Sequence, residues 1–153
     1  MPEIRNIVTF LAPQFLDDHN VVDRSEDTSS FGWIFDAEVR LSELLATGLT
    51  ISGFEVGRAV EEFKITSVSR KVKVNGKHFW LIVSYDRYVG DWCISVDSRL
   101  GCLLGLRGKT RSADLEKLCR AIDEILRKDP GITEIKWQTS AEWRSRNKLT
   151  PPG

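Results

Sequence analysis

Period-two patterning is clearest in the middle of the chain. Val68, Val72 and Val74 fall on one side of one run, and Phe79, Leu81 and Val83 on one side of the next. The two runs meet at Asn75-Gly76, and Asn-Gly tolerates the positive φ angles of a type I′ turn, so a two-residue hairpin is predicted. The turn sets a register. Val74 faces Lys77, Val72 faces Phe79, Arg70 faces Leu81 and Val68 faces Val83. The valine and phenylalanine side is assigned to the core. The opposite side carries Lys71, Lys73, His78, Trp80 and Ile82. A turn at "DRYVGD" leads into "WCISVDS", where Trp92, Ile94 and Val96 alternate with Cys93, Ser95 and Asp97. That alternation predicts a further half-buried strand.

Helical spacing appears on either side of this β region. In residues 36–52, Leu41, Leu44, Leu45 and Leu49 form one stripe, and Asp36 and Glu38 suit the positive end of a helix. Gly53 is the expected C-terminal cap. Gly48 is an alternative stop, since a mid-helix glycine costs about 1 kcal/mol relative to alanine. Residues 112–128 are the clearest helix. Leu115, Leu118, Cys119, Ile122, Ile125 and Leu126 share a face, Ser112 suits the N-cap, and Pro130-Gly131 stops the run. "IRNIVTFL", residues 4–11, and "ITEIKWQ", residues 132–138, read as the first and last strands. The predicted order is β-α-β-β-β-α-β. That order suits a two-layer α+β sandwich in which two helices cover one face of a mixed or antiparallel sheet. Residues 1–138 form the expected domain. Residues 17–30 are an acidic mobile loop, and residues 139–153 are a basic, frayed C-terminal tail.

Composition narrows the class. With 153 residues, 41% hydrophobic and 29% charged, the chain suits one globular domain with its own core. No apolar run approaches the roughly 20 residues that span a bilayer. The opening residues lack the basic start and apolar core of a secretory signal. The three cysteines, Cys93, Cys102 and Cys119, show no Cys-x-x-Cys spacing. The expectation is a reduced, cytoplasmic protein without a disulfide framework.

Net charge is zero but unevenly laid out. Residues 1–62 hold four Arg/Lys and twelve Asp/Glu, a net of −8, whereas residues 63–153 hold eighteen and ten, a net of +8. Either the two segments interleave and neutralise one another, or they form opposed surface lobes that steer a charged partner.

"GCLLGLRGKT", residues 101–110, imitates a phosphate loop. A Walker A loop needs G-x-x-x-x-G-K-[ST], and Leu103 stands where its first glycine belongs. A flexible strand-to-helix connection explains the glycines. A weaker anion site remains open at Arg107, Lys109 and Arg111 beside a helix N-terminus. The two histidines, His19 and His78, are not placed with a thiol by any local pattern. No Gly-x-Ser-x-Gly elbow occurs. His19 with Asp17, Asp18 and Asp23 is no more than solvated loops commonly hold, so no metal or other cofactor is assigned.

The side of the hairpin away from the core is more suggestive. The register sets Lys71 opposite Trp80, a pair able to make a cation–π contact, with Lys73 and His78 beyond. A solvated outer face is the plain reading. A protein interface or single-stranded nucleic-acid site would use the same residues. Trp33, next to the acidic loop, is a further interface candidate.

"GKHFWLIVSYD" followed by "LEKLCRAIDEILRKDPGITEIKW" resembles a diffuse group of small bacterial α+β proteins. Some of these are similar to immunity proteins, which neutralise a toxin by direct binding. The resemblance covers residues 76–137 and carries no functional residues with it.

These readings converge on a non-enzymatic protein-binding domain of bacterial type, immunity-like or adaptor-like. Its contacts are expected at Asp17, Asp18, Asp23, Glu26, Asp27, Trp33, Lys71, Lys73 and Trp80. The partner is expected to be another protein, with a homodimer through the open sheet face also possible, and with no membrane role. The alternatives are a small-molecule or anion-binding protein, or an enzyme, using residues 101–111, and nucleic-acid binding on the sheet face.

Overall fold

A computed structural model describes residues 4–17, 30–62, 67–86, 89–97 and 113–149. The elements are β1 (Ile7–Leu11), α1 (Gln14–Asp17), α2 (Ser30–Ile51), β2 (Glu55–Val56), β3 (Val60–Glu62), β4 (Ser67–Val74), β5 (Lys77–Asp86), β6 (Asp91–Asp97), α3 (Ala113–Lys128), β7 (Thr133–Gln138) and α4 (Ser140–Leu149). The fold is α+β, with one seven-stranded sheet in the order β2-β4-β5-β6-β1-β7 and β3 also paired to β4. Every pairing is antiparallel, which decides between the mixed and antiparallel alternatives.

The hairpin has the predicted register, from Val68↔Val83 through Val74↔Lys77. Asn75 and Gly76 sit at φ 49° and 82°, as a type I′ turn requires. The turn is anchored to α3. The Asn75 side-chain amide donates to Asp114 at 2.7 Å, and Lys77 lies 3.3 Å from the same carboxylate. The Asn75 hydrogen bond, with Lys77 beside it, holds the Asp114 carboxyl below its usual range.

The core lies between one sheet face and the helices α2 and α3. Leu41, Leu45 and Leu49 from α2 and Leu115, Leu118, Ile122 and Leu126 from α3 meet Val8, Phe10, Val72, Leu81, Val83, Trp92, Ile94 and Val96. Burying a large apolar side chain contributes about 1.5–3 kcal/mol, so this layer is the main source of stability. At the β6 end, the Trp92 ring packs on Tyr85 and Phe15 and its indole N–H donates to the Ala12 carbonyl. Arg70 shares the core face with Val68 and Val72 and spans it. Its guanidinium donates to the Ser42 hydroxyl at 3.2 Å and the Gly57 carbonyl at 3.0 Å.

Several boundaries differ from the sequence expectation. Helix α2 starts at Ser30 rather than at 36, so Glu38 lies in its interior and not at its positive end. The helix also runs through Gly48. A Cβ there would fall 2.7 Å from Ile125 Cδ1, so the glycine allows α2 and α3 to approach closely. The predicted stop at Gly53 is correct. Gly53 N–H donates to Thr50 and Phe54 N–H to Leu49, with Gly53 at φ 97°, which is a Schellman cap. Short strands β2 and β3 on the outer edge of β4, and the single turn α1, were not predicted. The stretch read as a frayed tail is helical over Ser140–Leu149. A capping box starts it: Glu142 N–H donates to Thr139 Oγ1 and Thr139 N–H to the Glu142 carboxylate.

β1 is inserted between β6 and β7, so a strand from the acidic segment is flanked by strands from the basic one. Arg5 pairs with Glu142 and Lys73 with Glu55, each joining the two charge segments. In these parts the segments interleave.

Candidate functional site

The antiparallel registers assign every strand residue to one of two faces. On the face away from α2 and α3, three rows cross the sheet. Ser67, Ser84, Cys93, Thr9 and Lys136 form the first, and Ser69, Ile82, Ser95, Ile7 and Gln138 the second. Lys71, Trp80 and Asp97 form the third, and the Lys73–His78 pair lies beyond it toward the turn. Across β1 and β7, Ile7, Thr9 and Gln138 on this face are buried, while Lys136 is exposed. Toward the hairpin the face opens. Lys71, Lys73 and His78 are exposed, and Trp80 and Ile82 are half-buried.

The open part has a defined build. Lys71 Nζ stands 5.4 Å from the Trp80 ring centroid, within cation–π range. Val60 on β3 is opposite Ser69 and so joins the row of Ile82; it is 42% exposed. Trp80, Ile82 and Val60 thus share this face, with Ser69 between Val60 and Ile82. Beside them lie Lys71, Lys73 and His78 with Asp97 and Glu55, and Lys73 is 3.8 Å from Glu55. Apolar and aromatic residues beside charges of both signs are the usual build of a protein–protein contact.

The structure therefore brings Lys71, Lys73 and Trp80 together as expected. Val60 escaped the sequence reading because three residues of strand give no visible alternation. Trp33 falls on α2 and Asp17 ends α1, and their side chains are outside the described set. Asp18, His19, Asp23, Glu26 and Asp27, and the whole Gly101–Arg111 stretch with Arg107, Lys109 and Arg111, also lie outside the described residues.

Among the described residues, the thiol of Cys93 and the imidazole of His78 stand apart. Cys93 is in the row of Ser84, and His78 lies six residues away along β5. At about 3.3 Å per residue, that is roughly 20 Å. The thiol of Cys119 is buried in the core, and burial pushes it up to about 12, far from the thiolate form at neutral pH. Among the described residues, no three His, Cys, Asp or Glu side chains are grouped to hold a metal ion. Among them, too, no helix is long and apolar enough to cross a membrane.

Glu38 is the unexpected titratable group. It is 0% exposed, and its Oε2 accepts the Tyr85 N–H at 2.9 Å. Burial raises its carboxyl to about 8, and the Tyr85 hydrogen bond only partly offsets this. Its spacing from Leu41, Leu45 and Leu49 was the available signal, since all four share one helical stripe.

Comparison with protein-family models, curated proteins and solved structures finds no match.

Proposed function

We propose that this chain is a non-enzymatic protein-binding domain that docks a partner protein on the open sheet face around Trp80. The observation behind this reading is the shared face of Trp80, Ile82 and Val60 away from the helices, with Lys71, Lys73, His78 and Glu55 exposed beside it. Tryptophan in such a setting is the residue type that most often dominates binding energy. Charges of both signs favour a protein over a nucleic acid, whose phosphate backbone calls for cations alone. An immunity-type or adaptor role is one form such docking takes, and the resemblance of residues 76–137 points the same way. The wide spacing of the cysteines is consistent with action in a reducing, cytoplasmic setting.

The test is a paired capture experiment. Wild-type chain and Trp80→Ala are each incubated with lysate, and binding of any retained protein is then measured with purified components. A partner held by wild type at 1:1 stoichiometry, and weakened about tenfold or more by Trp80→Ala, supports the reading. A partner bound equally well by Trp80→Ala places the interface elsewhere. Trp80-dependent binding of single-stranded oligonucleotides at low salt would replace the protein partner with a nucleic acid.

A further inference from the structure

The β4–β5 ladder reaches Ser67↔Ser84 at its outer end, and Tyr85 is the next residue along β5. Its N–H donates to a helix side chain, Oε2 of Glu38, at 2.9 Å. The other carboxyl oxygen, Oε1, is buried and has no hydrogen-bond partner among the described residues. This is a junction between α2 and the sheet that rests on one carboxyl group. A neutral acid can occupy such a site. A carboxylate there has one donor for two charged oxygens, and water reaches the second only if the junction opens.

We propose that Glu38 is a proton-operated latch: as the neutral acid it closes α2 onto the end of β5, and loss of its proton opens that junction to water. Among the described residues, no charged group acts on Glu38. On α2, Arg40 directs its guanidinium to the Phe15 carbonyl of α1. On β4, Arg70 reaches α2 one turn further on, at Ser42. On β5 and β6, Asp86 and Asp91 act on the Tyr85 phenol, which burial and these two carboxylates raise. Glu43 on α2 is exposed and acts on Arg70. Burial is the largest influence on Glu38 itself, and among the described residues the counterweight is the Tyr85 N–H.

The opening constant should then depend on pH in a specific way. The closed junction holds a proton that the open one releases. Opening therefore grows about tenfold per pH unit between roughly 5 and 8 and levels off above that. The experiment is amide hydrogen exchange of the full chain from pH 5 to 9, corrected for the intrinsic base-catalysed rate, with carboxyl-carbon NMR of Glu38 alongside. The expected result is a Tyr85 amide that follows this slope, exchanging at least tenfold faster than Leu81 and Ile94 above pH 7. In Glu38→Gln the corrected rate becomes flat with pH. Three results would each overturn the latch. One is a Glu38 carboxyl that titrates near 4.5. Another is a Tyr85 amide that exchanges with Leu81 and Ile94 at every pH. The third is an unchanged slope in Glu38→Gln. If that variant does not fold, the wild-type carboxyl titration and the amide comparison still decide.

Discussion

Gly48 shows how much a single missing side chain can decide. Read along the helix, it looks like a flaw that weakens α2; read across to α3, it is the place where Ile125 enters. Gly48→Leu restores helix propensity yet forces atoms into space already held by Ile125. It should lower stability to urea unfolding by about 1–3 kcal/mol. Adding Ile125→Ala should recover part of that loss, and simple additivity of the two changes would show that the sites do not meet. Arg70 teaches a related lesson. Its position on the core face was legible from the hairpin register, but its purpose was not. Nothing in "SRKVK" reveals that Ser42 and Gly57 wait within reach of its guanidinium.

At the scale of elements, termini are set by local chemistry. Gly53 ends α2 at φ 97°, a conformation that costs an alanine about 1–2 kcal/mol. Gly53→Ala should destabilise the chain by that amount, read as a lower midpoint in denaturant with an unchanged slope. The capping box at Thr139 and Glu142 makes a more local prediction. Thr139→Ala should cost α4 about 1 kcal/mol. Exchange protection over residues 140–149 should fall, while Leu81 and Ile94 keep theirs. Equal loss in the core amides would show that α4 is integral to the sheet. The motif T-x-x-E was present in the sequence. The basic charge and the prolines beyond it favour a frayed end instead. The β4–β5 hairpin, β6 and α3 were legible for the opposite reason, since their period and turn signals all lie within a few residues.

The whole molecule adds pH dependence. Glu38 is about 4.5 when unfolded and about 8 when folded, so the folded state holds a proton that the unfolded state loses. Its contribution is fully present below 4.5 and is lost as pH rises toward 8, a change of about 3–5 kcal/mol. Asp114 and Glu142 act in the other direction. Their carboxyls are lowered, by Asn75 first and by the Thr139 N–H first, so they stabilise at higher pH and lose this as pH falls below the ordinary carboxylate range. Thermal melts should therefore be highest near pH 5 and decline toward pH 8, and Glu38→Gln should flatten the decline. A wild-type melting temperature level from pH 5 to 8 would contradict it. The chain's charge layout belongs to this scale too. The −8 and +8 segments left both interleaving and opposed lobes open, and β1 between β6 and β7 joins the two segments within one sheet.

Sequence alone determined what neighbouring residues can settle between themselves. The period of two or 3.6, the Asn-Gly turn, the Schellman glycine and the hairpin register all follow from contacts a few positions apart. The face that presents Lys71, Lys73 and Trp80 followed from that register. Tertiary structure decided the rest. Val8 finds Ile94 and Trp137, each more than eighty residues away, and such a partner leaves no trace in local pattern. Val60 joins the face of Trp80 only because β3 settles on the edge of β4. Glu38 becomes a neutral acid because α2 carries it out of water onto the end of β5. Its proton affinity depends on neighbours assembled from across the fold, and no window of sequence contains them.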